Sequence, residues 1–226
     1  MRLRKEIHKK LLSSLILPFI WSCSIEKIAV RKTSSIIDKG INQIYGEKNI
    51  NYIKNSLPSN LKLMEILYQE DQNPFIVKNL TIGFCGYSFA FYDENTNQRN
   101  DFYLRGIKYS DAYIEKHRLK EKKKVKGIDF DILFWNLFCK SAFLDLNRDD
   151  VYALNYLNEI EETALKLYSI NPNYLYGSVA TILASIYSLK PSFMGGDLNK
   201  AKQIFEKTIN SDNGKKLLIN HLFYAK

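Results

Sequence analysis

NPNYLYGSVATILASIYSLKPSFMGGDLNKAKQIFE, residues 171–206, is the stretch from which the fold can be read. Asn171-Pro172-Asn173 is punctuation, because proline lacks an amide hydrogen and biases its neighbour away from helix. From Tyr174 to Leu189 the residues are almost wholly apolar and free of further breakers, which reads as a buried helix ending before Pro191. Met194-Gly195-Gly196-Asp197 then reads as a turn: the glycines accept φ > 0 without steric cost, and Asp197 can cap the next helix. Over residues 198–209 Ala201 and Phe205 sit four apart, on one face of that second helix. The stretch is a helix, a turn and a helix.

Leu183, Ala184 and Tyr187 in the first helix, with Ala201 and Phe205 in the second, approximate a tetratricopeptide pattern with a long linker. The same rhythm runs back along the chain. Residues 25–45 carry Ile28, Ile36, Ile37, Ile41 and Ile44 at broadly helical spacing, and Gly46 closes that helix. Leu57-Pro58-Ser59-Asn60 reads as a turn with a helix start, followed by an apolar face of Leu61, Leu63, Met64, Leu67 and Tyr68. Asp71-Gln72-Asn73-Pro74 breaks the pattern before an apolar helix over 75–92. Residues 93–100 read as a polar loop and 101–120 as an amphipathic helix. Phe130, Leu133, Phe134, Leu137 and Phe138 mark another buried helix, broken at 146–150 before one over 151–169. Strand signals are nearly absent. The fold class is therefore all-α, with antiparallel helix pairs in a tetratricopeptide-like stack.

The chain has 226 residues, 46% hydrophobic and 25% charged, with only 10 Gly and 5 Pro. That suits an ordinary globular core, not a disordered or loop-rich chain. Its net charge of +9 favours acidic partners or anionic surfaces. Much of it lies in the first ten residues; without them 28 basic and 23 acidic residues remain. Lys and Glu are otherwise spread along helices, unlike the concentrated charge of a reading element, and no nucleic acid is expected. The exception is residues 116–126, a basic run read as a solvated helix end and loop without apolar anchors.

The basic first ten residues precede a short apolar run over 11–21, too short to span a bilayer, which needs about 20 residues. This is the form of a secretory signal. Ser22 directly before Cys23 suggests a lipoprotein processing site. Residues 1–22 are then a signal peptide, Cys23 is the acylated first residue, and 23–226 form the helical domain at the periplasmic face of a bacterial membrane. Two or more acyl chains, such as palmitate, hold a protein stably on a membrane. The remaining cysteines, Cys85 and Cys139, fall in apolar helical runs. Export permits a disulfide between them, but the sequence favours two buried thiols.

Catalytic patterns do not stand out. His8, His117 and His221 have no metal partner at helical spacing, and no nucleophile elbow or phosphate loop occurs. Glu159, Glu161 and Glu162 read as a solvated helix face. No enzyme, metal or cofactor is expected. The aromatic stripes Phe84, Tyr87, Phe91 and Phe130, Phe134, Phe138 read first as core, and second as the lining of an apolar ligand site between helices.

Three groups of segments carry a resemblance: LPSNLKLME (57–65) with GYSFAF (86–91); LDLNRDDVYAL (144–154); and NPNYLYG (171–177) with KPSFMGGD (190–197) and AKQIFE (201–206). Together they resemble the TatT family, the T component linked to tripartite ATP-independent periplasmic (TRAP) transporters. The resemblance covers most of residues 55–226, and the long Pro-to-Gly-Gly-Asp linker is its most specific part. It implies a helical, lipid-anchored periplasmic module that binds or conducts an apolar or amphipathic small molecule, docks a periplasmic substrate-binding protein and can form a homotrimer. Aromatic placement then nominates Tyr87, Phe91, Phe134, Phe138 and Tyr187 as ligand contacts. Two departures are the basic run at 120–126 and an end inside an apolar helix, which suggests a shortened member. The alternative is a tetratricopeptide-like envelope scaffold without ligand.

Overall fold

The computed structural model describes residues 25–44, 46–91 and 96–226; residues 1–22, read as a signal peptide, and Cys23, read as the acylated residue, lie outside them. The chain divides into two compact units, Met1–Asn79 and Leu80–Lys226.

In the first unit α1 is helical over 25–44, and α2 spans Ile50–Glu70. Asn49 caps α2, its side chain accepting from the Tyr52 amide at 3.1 Å. The turn expected at 57–60 does not form: Pro58 lies inside α2. Proline removes one helical hydrogen bond, and the helix persists because Leu61, Met64 and Tyr68 share a buried stripe just beyond it. Helix α3, Pro74–Ala90, begins where the break was read. Asn73 Oδ1 accepts from the amides of Phe75 (3.1 Å) and Ile76 (3.2 Å), and Pro74 takes the first helical position. Within this unit Arg31 pairs with Asp71 at 2.8 Å, Lys78 with Asp38 at 2.7 Å, and Asn73 donates to the buried Ser34 hydroxyl at 3.3 Å.

The second unit holds the rest of α3, then α4 (Thr96–Lys116), α5 (Ile128–Leu146), α6 (Val151–Leu154), α7 (Leu157–Ile170), α8 (Tyr174–Leu189), α9 (Leu198–Ile209) and α10 (Leu218–Ala225). Helix α4 starts five residues before the sequence reading, so 96–100 are helix, not loop. Helix α4 packs along α5, α5 on α7, α7 along α8, and α8 along α9. The α4–α5 and α8–α9 pairs are antiparallel, since partner numbers rise along one helix as they fall along the other. Asn100 pairs with Asn147, Ser110 with Asn136, and Tyr113 with Asp129. Gly177 faces Thr208, while Tyr187 meets Lys200. The all-α stack of antiparallel helix pairs is as read.

The expected pair of free thiols is overturned. Cys85 and Cys139 form a disulfide between α3 and α5, with Cα atoms 5.4 Å apart, inside the usual range. Gly106 of α4 lies against it: a Cβ there would collide with Cys85 Sγ and come within 3.1 Å of Cys139 Sγ. Sequence spacing could not show this, because the pairing depends on how three helices approach.

Two other corrections are local. The basic run is not without apolar anchors: Leu119 and Val125 are both buried. The single helix read from 151 is interrupted at Asn155 and Tyr156 between α6 and α7. In α8, Leu175, Tyr176 and Gly177 take left-handed φ of 43°, 59° and 83°, so regular helix begins only after them. For Leu and Tyr that conformation costs roughly 1–2 kcal/mol each. Asn220 of α10, wholly buried, holds the turn by donating to the Tyr176 (2.8 Å) and Gly214 (2.9 Å) carbonyls while accepting from Thr181 Oγ1 at 2.8 Å.

The turn before α9 is as read. Gly195 has φ +90°, and a Cβ at Gly196 would strike the Lys190 carbonyl. Asp197 caps α9, accepting from the Lys200 amide at 2.9 Å, and Ala201 and Phe205 are buried. On α10, Leu218 and Leu222 are exposed.

Candidate functional site

The nominated aromatics fall in three places within the second unit. Tyr87 and Phe91 meet each other, centroids 4.6 Å apart, and Tyr87 also meets Phe102 at 5.3 Å. Phe134 and Phe138 flank Trp135 at 5.3 and 5.4 Å. Phe138 also meets Phe89 at 5.1 Å, and Phe134 meets Tyr174 at 4.8 Å. Tyr187 stands apart: Lys200 Nζ lies 4.1 Å from its ring centroid and donates to its hydroxyl at 2.8 Å. Tyr87, Phe134 and Tyr187 are buried, whereas Phe91 and Phe138 are half-buried and sit at the edges of their clusters. These edge-on and tilted contacts are the ordinary packing of aromatic cores.

A concave feature lies elsewhere. Helices α8, α9 and α10, with the end of α5, surround an open groove of about 400 Å³. Leu189, Leu198, Ala201, Phe205, Phe223 and Tyr224 give it apolar walls. Asp145, Arg148 and Lys226 form a charged rim, with Asp145 bonded to both cations. Burial pushes the Asp145 carboxyl up, and the bonds from Arg148 and Lys226 outweigh it, so its pKa lies below the ordinary carboxylate value. Ser185, Ser188 and Lys202 add to the polar side, so half of the lining is polar and the groove is amphipathic. The sequence shows Phe205 and an apolar last helix but not their meeting, since the groove exists only once α10 folds back onto α8 and α9.

The second chemical feature is a buried ion network. Lys140, only 2% exposed, interrupts the apolar face of α5. It donates to Asp111 on α4 at 2.7 Å and Glu159 on α7 at 2.5 Å. Lys120 also reaches Glu159, at 2.7 Å, and Asn136 donates to Asp111 and Ser110, both at 2.8 Å. Burial raises the Glu159 pKa, but the two lysines more than reverse this and hold it lowered. Glu159 is thus held ionised, the opposite of what a general acid requires. Nor is the Glu159–Glu161 face simply solvated as read, because Glu161 likewise pairs with Lys190, a nearly buried lysine. Lys140 amid Phe and Cys was the signal that could have been read from the sequence.

Tyr103, buried beside Arg99, has its phenol pushed up to about 12 by burial. Arg99 itself donates to the Ser88 carbonyl at 3.1 Å, and Ser88 Oγ donates back to the Arg99 carbonyl at 2.7 Å. These groups tie α3 to α4 and present no reactive atom to a cleft. Among the described residues no helix is long and apolar enough to cross a membrane.

No curated protein matches the chain. The family model of the TRAP transporter T-component matches residues 46–226, from just before α2 to the last helix of the stack. The match takes in α2, the α4–α5 pair, the long linker and the groove-forming helices, and on this ground the chain belongs to the TAtT family of TRAP transporter T-components.

Proposed function

We propose that this chain is the periplasmic, lipid-anchored accessory component of a TRAP-type transport system, binding or conducting an apolar or amphipathic small ligand and docking the system's substrate-binding protein. The observation that carries the reading is the family match over 46–226, on an all-α stack. Residues 1–22 act as the signal peptide, Cys23 carries the acyl chains, and 23–226 form the working domain. The Cys85–Cys139 disulfide supports an oxidising compartment, since such bridges persist outside the reducing cytoplasm. The role is transport, with no chemistry assigned to the chain. Ligand contact falls to the nominated aromatics: half-buried Phe91 and Phe138 are the accessible members, Tyr87 and Phe134 lie in the same clusters, and Tyr187 is a separate contact.

Native mass spectrometry of the processed chain tests this. A retained small apolar molecule, with a trimer as the assembled form, is the expected result. A bare monomer that takes up no apolar molecule would sink ligand carriage. A second reading, a tetratricopeptide-like envelope scaffold without ligand, has one observation in its favour: Tyr87, Phe134 and Tyr187 are buried against other side chains. A bare chain that still captures envelope proteins would support that reading.

A further inference from the structure

Residues 116–126 carry seven Lys or Arg and one acid, Glu121. A charge run of this kind is usually a mobile solvated loop, but this one is fastened down. Buried Leu119 and Val125 pin it at two points. Lys166 of α7 donates to the Leu119 and Lys120 carbonyls, both at 2.8 Å, and so ties the loop to the stack. Arg118, at φ 51°, turns the chain out of α4. Three of its charges are locally neutralised: Arg118 by Glu121, Lys120 by Glu159 at 2.7 Å, and Lys122 by Asp129 at 3.1 Å. The other four, Lys116, Lys123, Lys124 and Lys126, are exposed and carry no ion pair among the described residues. The neighbouring acids Glu115 and Glu121 leave the patch strongly positive.

We propose that this pinned loop is a membrane-surface contact, with Lys116, Lys123, Lys124 and Lys126 lying against anionic lipid headgroups. The composition favours a lipid surface over a folded acidic partner. The four charges without a partner are flexible ammonium groups; the one Arg, Arg118, is engaged by Glu121, and the His117 ring lies on Tyr113, so neither sets a geometry for a partner, which suits a diffuse field of headgroup charge. The contact would orient the stack on a membrane that holds it by other means, and it stands whether or not the transport reading does. It predicts strong salt dependence, because exposed charges are screened within about 10 Å at moderate salt.

The test is vesicle co-sedimentation of the processed chain, residues 23–226, carrying Cys23→Ser, which removes the leader and the acylation equally from every arm. Vesicles of phosphatidylcholine alone are compared with equal parts phosphatidylcholine and phosphatidylglycerol. Each lysine near an anionic surface contributes about fivefold in partitioning. Replacing Lys116, Lys123, Lys124 and Lys126 together by Gln should therefore lower partitioning onto anionic vesicles at low salt by about several hundredfold if all four lie at the surface, and by about 25-fold if only two do. Replacing the same four by Arg should preserve it, and neutral vesicles should bind neither variant nor parent. If the Gln variant partitions as the parent does, the proposal is overturned. It is equally overturned if the Gln variant keeps its lipid binding but loses capture of the substrate-binding protein, which would assign the loop to an acidic protein surface.

Discussion

Replacing Cys85 and Cys139 together by Ala removes the one covalent tie found among the described helices, and its effect can be worked from the separation it closes. The bridge spans 54 residues. In the chain-entropy model a loop of that length restricts the unfolded state by about 4 kcal/mol at room temperature. The lost sulfurs add a packing term, since Gly106 leaves a niche that only they fill. For a unit of this size each kcal/mol moves the melting midpoint by about 2–4 °C, so a fall of roughly 8–16 °C is expected. Trp135 on α5, between Phe134 and Phe138, is a suitable fluorescence probe of the same unit. Urea unfolding of the oxidised parent and the double variant should show the difference, and reductant should lower only the parent. If the two midpoints coincide and reductant moves neither, the bridge does not form in solution and the argument for an oxidising compartment goes with it.

Other outcomes rest on the same contacts. Gly106→Ala gains about 1 kcal/mol of helix propensity but drives a methyl into the disulfide, so a net loss of about 1–2 kcal/mol is expected in denaturant titration. Lys140→Met leaves Asp111 and Glu159 facing each other without their shared cation; because both acids keep some solvent, the cost should be about 2–3 kcal/mol. The pH sign is fixed by the lowered Glu159 pKa. Its contribution is present above the unfolded carboxylate value, about 4.3, and is lost as pH falls through the folded value. In Lys140→Met one of the two lysines opposing burial is gone, so the acid-side loss should begin at higher pH, as read by melting temperature against pH. Asn220→Ala strips the left-handed turn of its buried clamp, and about 2–3 kcal/mol should be lost. Phe138→Ala should abolish any change in Trp135 emission on adding an apolar ligand while leaving circular dichroism intact; an unchanged response would remove Phe138 from the site.

The helix order was legible because apolar spacing, Asn-Pro breaks and the Gly-Gly-Asp linker are local signals. Asn73, Asp197 and the buried Ala201–Phe205 pair fell where those signals put them. The features that escaped were decided between helices. Pro58 reads as a breaker in isolation, yet the buried stripe of Leu61, Met64 and Tyr68 carries α2 through it. Leu175 and Tyr176 have no sequence mark for a left-handed turn, which is sustained by Asn220 some forty residues on. Cys85 and Cys139 meet because Gly106 lets α4 approach them, a relation that no spacing rule contains. For the candidate site, the aromatic stripes were visible as stripes, but their division into separate clusters was not. Phe102 of α4 gathers Tyr87, whereas Phe89 of α3 and Tyr174 of α8 gather Phe138 and Phe134.

If this TAtT-family chain works with a substrate-binding protein, as proposed, the two purified components bind each other directly. The purified chain, held in detergent, would be titrated by calorimetry with the substrate-binding protein of the same transport system. Saturable binding at a fixed ratio, micromolar or tighter, is the result expected. No heat and no complex at the highest concentrations reached, with both proteins folded, would contradict it and leave the envelope scaffold as the better account.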